Sequence, residues 1–311
     1  MQYFQNLLYV THGATDETAS LKQALSLARN NSASLTILIL SPELPEKFAD
    51  VQDKYARNLK SEVESSIQEA KATLNIEKTE VKLSIEIASD KMPAIKVIQL
   101  VLQNDYDLVL KEAEQLHSRG GFKAIDMELL RQCPVPVWLS RPITQHRNAI
   151  KVAVAIDPDT QEAAAQHLSK RMLKLARSLA DSCSGTLYIA SCWELEFESS
   201  LRNSPFYGVS DKEVDNAVTE ERERHRMALD NLITESEISG QLHVCHLQGK
   251  PDDLISTFVE EQGIDILIMG TVARTGIAGF VTGNTAENVM QALSCSLLAL
   301  KPNGFICPIK A

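Results

Sequence analysis

The strongest constraint on the fold is an internal repeat in the amino-acid sequence. The segment DYDLVLKEA at 105–113 matches GIDILIMGT at 263–271, with the same apolar or acidic character at the five positions 106–110 and 264–268. A second pair, LSLAR at 25–29 and LKLAR at 173–177, lies in helical patterns at corresponding places. Self-similarity at a long period indicates duplicated units, here of roughly 150 residues each. The sequence therefore predicts two copies of one domain.

Each half alternates short runs of Leu, Ile and Val with longer amphipathic segments, which predicts an α/β fold with a parallel sheet covered by helices. In the first half we predict strands at 6–12, 35–40, 81–88, 107–110 and 135–139, and helices at 19–31, 46–74, 93–104 and 126–133. The second half repeats this order, with strands at 151–157, 186–193, 242–247, 265–270 and 297–300, and helices at 160–182, 211–238, 252–262 and 285–294. The polar stretch 141–148 is the predicted linker, so the predicted domains are residues 1–142 and 149–311.

Composition restricts the classes of partner. The formal net charge is −10 and the isoelectric point is near 5.3, which argues against nucleic acid because that affinity depends on clustered Lys and Arg. No apolar run approaches the ~18 residues of a membrane span, and the N-terminus lacks the pattern of a signal peptide. The six cysteines show no CxxC spacing, which favours reduced thiols. We therefore expect a cytoplasmic protein with no nucleic-acid or membrane partner.

Common catalytic motifs are absent from the sequence. It contains no GxSxG, HExxH or GxxxxGK[ST] segment, so nucleophilic, zincin and P-loop chemistry have no support. His243, Cys245 and His246 carry side chains that bind metals. On a strand, however, His246 points to the opposite face from the other two. These residues are therefore predicted to be ordinary strand residues, and no metal site is predicted.

A glycine-rich loop is the main candidate for binding chemistry. In a doubly wound sheet, ligands bind at the carboxyl ends of the strands, where the strand order reverses. Residues 269–288 follow the fourth predicted strand of the second half and contain four glycines, with no acidic residue before Glu287. Glycines let backbone N–H groups converge on an anion, and a following helix N-terminus, capped by Asn284 or Thr285, adds a favourable field. The loop predicts a phosphate site, with an ordinary turn as the alternative.

The loop resembles the nucleotide-binding motif of the universal stress protein family, which includes tandem members. That motif is Gly, two residues, Gly, nine residues, then Gly followed by Ser or Thr, and the matching positions are Gly270, Ala273, Gly283 and Asn284. Family members also place an aspartate after the first strand against the adenosine, and a residue late in the second strand against the base. The corresponding positions are Asp157 and Cys192.

This resemblance implies the architecture and the site. Each half is expected to be a Rossmann-like, adenine nucleotide alpha hydrolase-like domain with a five-stranded parallel sheet of order 3-2-1-4-5 and helices on both faces. The nucleotide-binding residues implied are Ala155, Asp157, Cys192, Met269, Gly270, Val272, Ala273, Gly283, Asn284 and Thr285. Because Ala273 replaces a glycine and Asn284 a hydroxyl residue, ATP, another adenine nucleotide and an altered ligand preference all stay open.

The corresponding positions of the first half differ in charge. Glu112 stands opposite Gly270, Glu114 follows two residues later, and His12 stands opposite Asp157. A carboxylate ~4 Å from a phosphate charge is unfavourable by about 4 kcal/mol at an effective dielectric constant of 20. The sequence therefore predicts that the first half has lost its nucleotide site.

Together these expectations describe a cytoplasmic stress-response protein that binds and regulates, with an adenine nucleotide or related small ligand in its C-terminal domain. The family pairs domains through their last strand, which implies an intramolecular pseudo-dimer here and leaves a further homodimer open. A slow ATP hydrolase assisted by Asp157 or Arg274 is one alternative, and a nucleotide-free scaffold or apolar-ligand protein is another. No catalytic residue is assigned.

Overall fold

A computed structural model describes residues 3–13, 15–77, 80–114, 122–160, 162–203, 207–271 and 283–310. The elements of the first half are β1 (Asn6–Thr11), α1 (Thr18–Asn31), β2 (Ser34–Ser41), α2 (Ala49–Leu74), β3 (Leu83–Ser89), α3 (Pro93–Gln103), β4 (Leu108–Glu112), α4 (Ala124–Gln132) and β5 (Val137–Ser140). Those of the second half are β6 (Lys151–Ala155), α5 (Ala163–Cys183), β7 (Thr186–Trp193), α6 (Glu198–Asn203), α7 (Asp211–Glu235), β8 (Leu242–Gln248), α8 (Pro251–Gln262), β9 (Ile266–Gly270), α9 (Asn284–Ala292) and β10 (Ser296–Leu300).

Local signals that start and end the helices recur in both halves. Helices α3 and α8 each begin with a proline in their first turn, where the missing N–H has no intrahelical partner to lose. Helices α1 and α5 each end at a serine in the left-handed region, with φ of 54° at Ser32 and 55° at Ser184. Such residues reverse the chain and satisfy the last helical carbonyls. The shared signals support a duplication.

The strand order of each half confirms the expectation. The sheet runs β3-β2-β1-β4-β5-β10-β9-β6-β7-β8, which is 3-2-1-4-5 in each half. All pairs within a half are parallel, and the two halves meet where β5 pairs antiparallel with β10, with Trp138 opposite Leu298. The last strands of the two halves therefore join the two sheets edge to edge. The division at residues 142 and 149 stays a prediction.

Alternating strand residues build a core on each face of the sheet. Leu7 and Tyr9 of β1 pack in one core, with side chains of α1, α2, α5 and α7. Leu8 and Val10 pack in the other, with side chains of α3, α4, α8 and α9. This alternation is the period of two of a β-strand. Helices therefore cover both faces, as the sequence predicts.

One element, α6, lies in a stretch where the sequence predicts a connecting loop. It is a single short helix in which Arg202 pairs with Glu198 one turn earlier and with Asp215 of α7. A helix this short is not stable by its own propensity. Its contact with α7 therefore stabilises α6. None of the helices that the structure describes is long and apolar enough to cross a membrane.

Candidate functional site

A cavity of about 690 Å³ opens at the carboxyl ends of β6, β7 and β9. In this half β6 lies between β9 and β7, so the cavity sits where the strand order reverses, the usual ligand position in such a sheet. The predicted site residues that line it are Ala155, Asp157, Cys192, Met269, Gly270, Gly283, Asn284 and Thr285. Val272 and Ala273, together with Arg274, lie outside the described residues.

The floor of the cavity is apolar. Its lining includes Ile156, Leu168, Met172 and Ile255. Cys192 also lines the cavity. Burial raises the pKa of its thiol to about 11, so the thiol is uncharged near neutral pH. An uncharged, largely apolar wall suits the flat face of a ring system.

Two glycines form the end of the cavity next to β9 and α9. A Cβ atom at Gly270 would lie 3.3 Å from a methyl carbon of Leu168, so the site has little room for a side chain there. The sequence predicts Asn284 or Thr285 as the cap of α9, and this is wrong: the helix begins at Asn284, and Gly283 holds the cap position. Because glycine has no side chain to accept the N–H groups of the first turn, those groups are left to other partners.

The opposite rim of the cavity is acidic. Asp159 accepts two hydrogen bonds from the guanidinium of Arg224, at 2.7 and 2.8 Å, and Arg224 also pairs with Glu221 one turn earlier on α7. The Asp157 carboxylate accepts the backbone N–H of Asp159 at 2.9 Å. These contacts tie the loop after β6 to α7. Both Glu162 and Glu194 add carboxylates to the lining.

Two histidines complete the wall between β7 and α7. His225 of α7 lines the cavity with 2% of its surface exposed. Its Nδ1 lies 2.9 Å from Nε2 of His246 on β8, and the His246 ring packs against Trp193. Sequence reasoning singled out His246 only as part of a weak metal pattern and did not find His225, because the pairing joins a helix to a strand.

A second cavity of about 730 Å³ lies between α1, α5 and the end of α7. Its lining includes Tyr3 and Phe4, which precede β1, and Arg177 of α5. It therefore opens near the amino end of β1, and it contains none of the predicted site residues.

The model of the universal stress protein family matches residues 4–141 and 150–301. The chain belongs to that family. Universal stress protein E of Photorhabdus laumondii is 27% identical over 329 residues, covering 100% of this chain and 99% of that protein. Universal stress protein E of Escherichia coli K12 is 28% identical over 331 residues, covering 100% and 98%. A putative universal stress protein of Pseudomonas aeruginosa, 22% identical, shares the fold with a TM-score of 0.69 over 97% of this chain and 95% of that one.

The first half of this universal stress protein carries different residues at the equivalent place. Register aligns Glu112 with Gly270, since each is the last residue of its strand and faces the last strand of its half. Burial, and then the charges of Glu17 and Asp16, raise the pKa of Glu112 to about 7. A carboxyl group therefore stands where the second half has Gly270, and the second predicted carboxylate, Glu114, pairs with Lys111 at 3.7 Å and with Lys123 at 3.3 Å. That these carboxylates abolish nucleotide binding stays a prediction.

A buried ion pair at the end of β4 escaped the sequence analysis. Lys111 Nζ lies 2.9 Å from Asp126 Oδ1, with 3% and 0% of the two side chains exposed. The other carboxylate oxygen accepts the backbone N–H of Glu114 at 3.2 Å. Strand register places apolar Met269 at the position equivalent to Lys111, and Ala286 is the third residue of α9, as Asp126 is of α4. Comparing the two halves position by position provides the signal, because a cation and an anion replace two apolar residues together.

Proposed function

We propose that this universal stress protein is a cytoplasmic stress-response binding and regulatory protein whose C-terminal half holds an adenine nucleotide or related small ligand in the 690 Å³ cavity. The observation that carries the proposal is the convergence of eight predicted residues on one cavity at the switch point of the sheet. These residues come from strands β6, β7 and β9 and from the start of α9. Spacing along the chain did not require them to meet.

The chemistry of the cavity supports a ligand with one ring-like and one anionic part. The wall around Cys192 is uncharged and suits a base. Gly270 and Gly283 leave space next to the N-terminus of α9, whose first-turn N–H groups have no side-chain cap and favour an anion. An apolar ligand, or no ligand at all, is the competing proposal, and a slow hydrolase is a third.

Calorimetric titration with ATP, ADP and AMP tests the proposal. We expect one site per chain and a loss of at least about 100-fold in affinity for Gly270→Glu, which places a carboxylate beside the phosphates. Asp157→Ala is expected to weaken binding of all three nucleotides. The matched control is Glu112→Gly, the reverse exchange at the equivalent position of the first half, and it leaves this site unchanged.

Each outcome decides between the proposals. Absence of heat with every nucleotide rejects nucleotide binding and leaves the scaffold or apolar-ligand protein. Binding of equal strength in the wild type and Gly270→Glu rejects the assigned site. Release of inorganic phosphate from bound ATP, abolished by Asp157→Ala, favours the hydrolase over a pure binding protein. Thermal unfolding of each variant checks that the fold is intact.

A further inference from the structure

The histidine pair has the geometry of a directional hydrogen bond between two rings. The ring centroids of His225 and His246 are 5.0 Å apart with an interplanar angle of 23°. Together with the 2.9 Å separation of Nδ1 and Nε2, this is an edge-to-edge contact of nearly coplanar rings. On its far side the His246 ring lies nearly parallel to Trp193, at 21° and 5.5 Å. The orientation of His225 is therefore fixed by two elements other than its own helix.

The hydrogen bond determines which atom of His225 is left for a ligand. An N–H···N contact uses one N–H and one lone pair, so Nδ1 of His225 is committed to His246. Nε2 is the remaining polar atom of a ring that lines the cavity. Burial lowers the pKa of both histidines, and the neighbouring His225 lowers the pKa of His246 further. The pair is therefore uncharged near pH 7.

The charges around the pair decide which part of a ligand suits this wall. Among the described residues that line the cavity there is no lysine or arginine, and His225 is the one basic side chain. The charged groups that act on His225 are Asp157, Asp159, Glu221 and Arg224. Those that act on His246 are Arg222, Arg226 and Asp230. Three carboxylates near His225 disfavour a phosphate, whereas an uncharged polar edge is tolerated.

We propose that His225 is a specificity-determining ligand contact that hydrogen-bonds through Nε2 to the uncharged base or ribose of the ligand, and that His246 is its positioning residue. The proposal rests on the proposed nucleotide function and deepens it. The glycine end of the cavity, built by β9 and α9, lies across β6 from this wall. The anionic part of the ligand therefore binds at the glycines, and its uncharged part binds at His225.

Titration with adenosine, AMP and ATP tests this division. We expect His225→Ala to lower the affinity for all three ligands by the same factor, about 5- to 50-fold, because the lost contact involves the part that they share. The matched control is His243→Ala on β8, the strand that also carries His246. That ring packs on Tyr188 at 4.9 Å and does not line the cavity, so binding stays within about twofold.

The positioning role of His246 has its own readout. His246→Phe keeps a ring against Trp193 but removes the nitrogen that holds His225, so we expect a weaker affinity and a changed tautomer signal of His225 in ¹⁵N-histidine NMR. His246→Gln restores a hydrogen-bonding group and is expected to recover affinity to within about threefold. In the wild type, AMP is expected to shift the Nε2 resonance of His225. Affinity is expected to fall when acid protonates the pair, at a pH lower than an ordinary histidine requires.

The binding measurements distinguish the role of His225 from nucleotide binding by the protein as a whole. A wild type that binds no nucleoside or nucleotide overturns both. Wild-type binding that His225→Ala leaves within twofold overturns the role of His225 alone. A loss that grows from adenosine to ATP also overturns it, because His225 would then contact phosphate. Equal affinities of His246→Phe and His246→Gln overturn the positioning role.

Discussion

The buried ion pair of the first half gives the sharpest test of how the two halves diverged. Lys111→Met and Asp126→Ala install the residues that the second half carries at the equivalent positions, Met269 and Ala286. The double variant therefore replaces a buried salt bridge by an apolar pair that the same fold already accommodates. Met269 and Ala286 show that an apolar pair packs at the equivalent positions of this fold.

The expected magnitudes follow from burial. Removing one partner leaves a buried charge without its nearest counter-charge, so each single variant is expected to lose about 3–5 kcal/mol of unfolding free energy. The loss for Asp126→Ala is expected at the lower end, because Lys111 keeps Glu114 at 3.7 Å and the Glu112 carbonyl at 2.9 Å. Removing both partners takes away both desolvation penalties. The double variant still leaves the backbone N–H of Glu114 without its acceptor and the Glu112 carbonyl without the Lys111 donor, which together cost about 1–3 kcal/mol. We therefore expect a net loss of about 0–2 kcal/mol for the double variant, less than for either single variant.

Urea denaturation of the four proteins at pH 7.5 and pH 5 measures this coupling. Burial raises the pKa of Asp126, so without Lys111 this carboxyl group takes up a proton in mild acid. The deficit of Lys111→Met should therefore shrink at pH 5, whereas that of Asp126→Ala should not. Losses that simply add in the double variant would refute the argument, because the two groups would then not be stabilising each other. Single losses below about 1 kcal/mol would refute it as well.

Two further predictions concern pH. The pKa of Glu112 is raised to about 7, so its ionisation destabilises the fold increasingly from pH 4.5 to pH 7. In urea titrations, Glu112→Gln should therefore be about 1–3 kcal/mol more stable than the wild type at pH 8 and equal to it near pH 4.5. Burial lowers the pKa of Lys301 to about 8 while its Nζ donates to the Leu130 carbonyl at 2.8 Å. The wild type should therefore gain about 1–3 kcal/mol relative to Lys301→Met between pH 7 and pH 10, and thermal unfolding that shows a constant difference would contradict this.

Element order was predictable because it depends on periodicity along the chain. The alternation of Leu7 and Tyr9 with Leu8 and Val10 marks a strand buried on both faces, and the same pattern returns in the second half. The strand order, in contrast, came from the resemblance to a family. Periodicity identifies which faces are buried but not which strand lies beside which.

The side-chain pairings between different elements of each half were not predictable from local sequence. Lys111 with Asp126, and His225 with His246, join different elements through the tertiary fold. The cap of α9 was predicted wrongly because Asn284 has a high preference for that position, whereas the helix already begins at Asn284. Propensity ranks residues for a position, and tertiary structure decides where the position falls.

The antiparallel contact of β5 with β10 has a consequence during synthesis. Val137 of β5 pairs with Ala299 of β10, and at 5–20 residues per second the ribosome needs on the order of 10 s to make the chain between them. Throughout that interval β5, whose sequence VWLS has no charged residue, is an open strand edge. Neighbouring nascent chains on one messenger RNA present the same open edge. A pause in translation of the second half therefore favours domain-swapped dimers, in which β5 of one chain pairs with β10 of another.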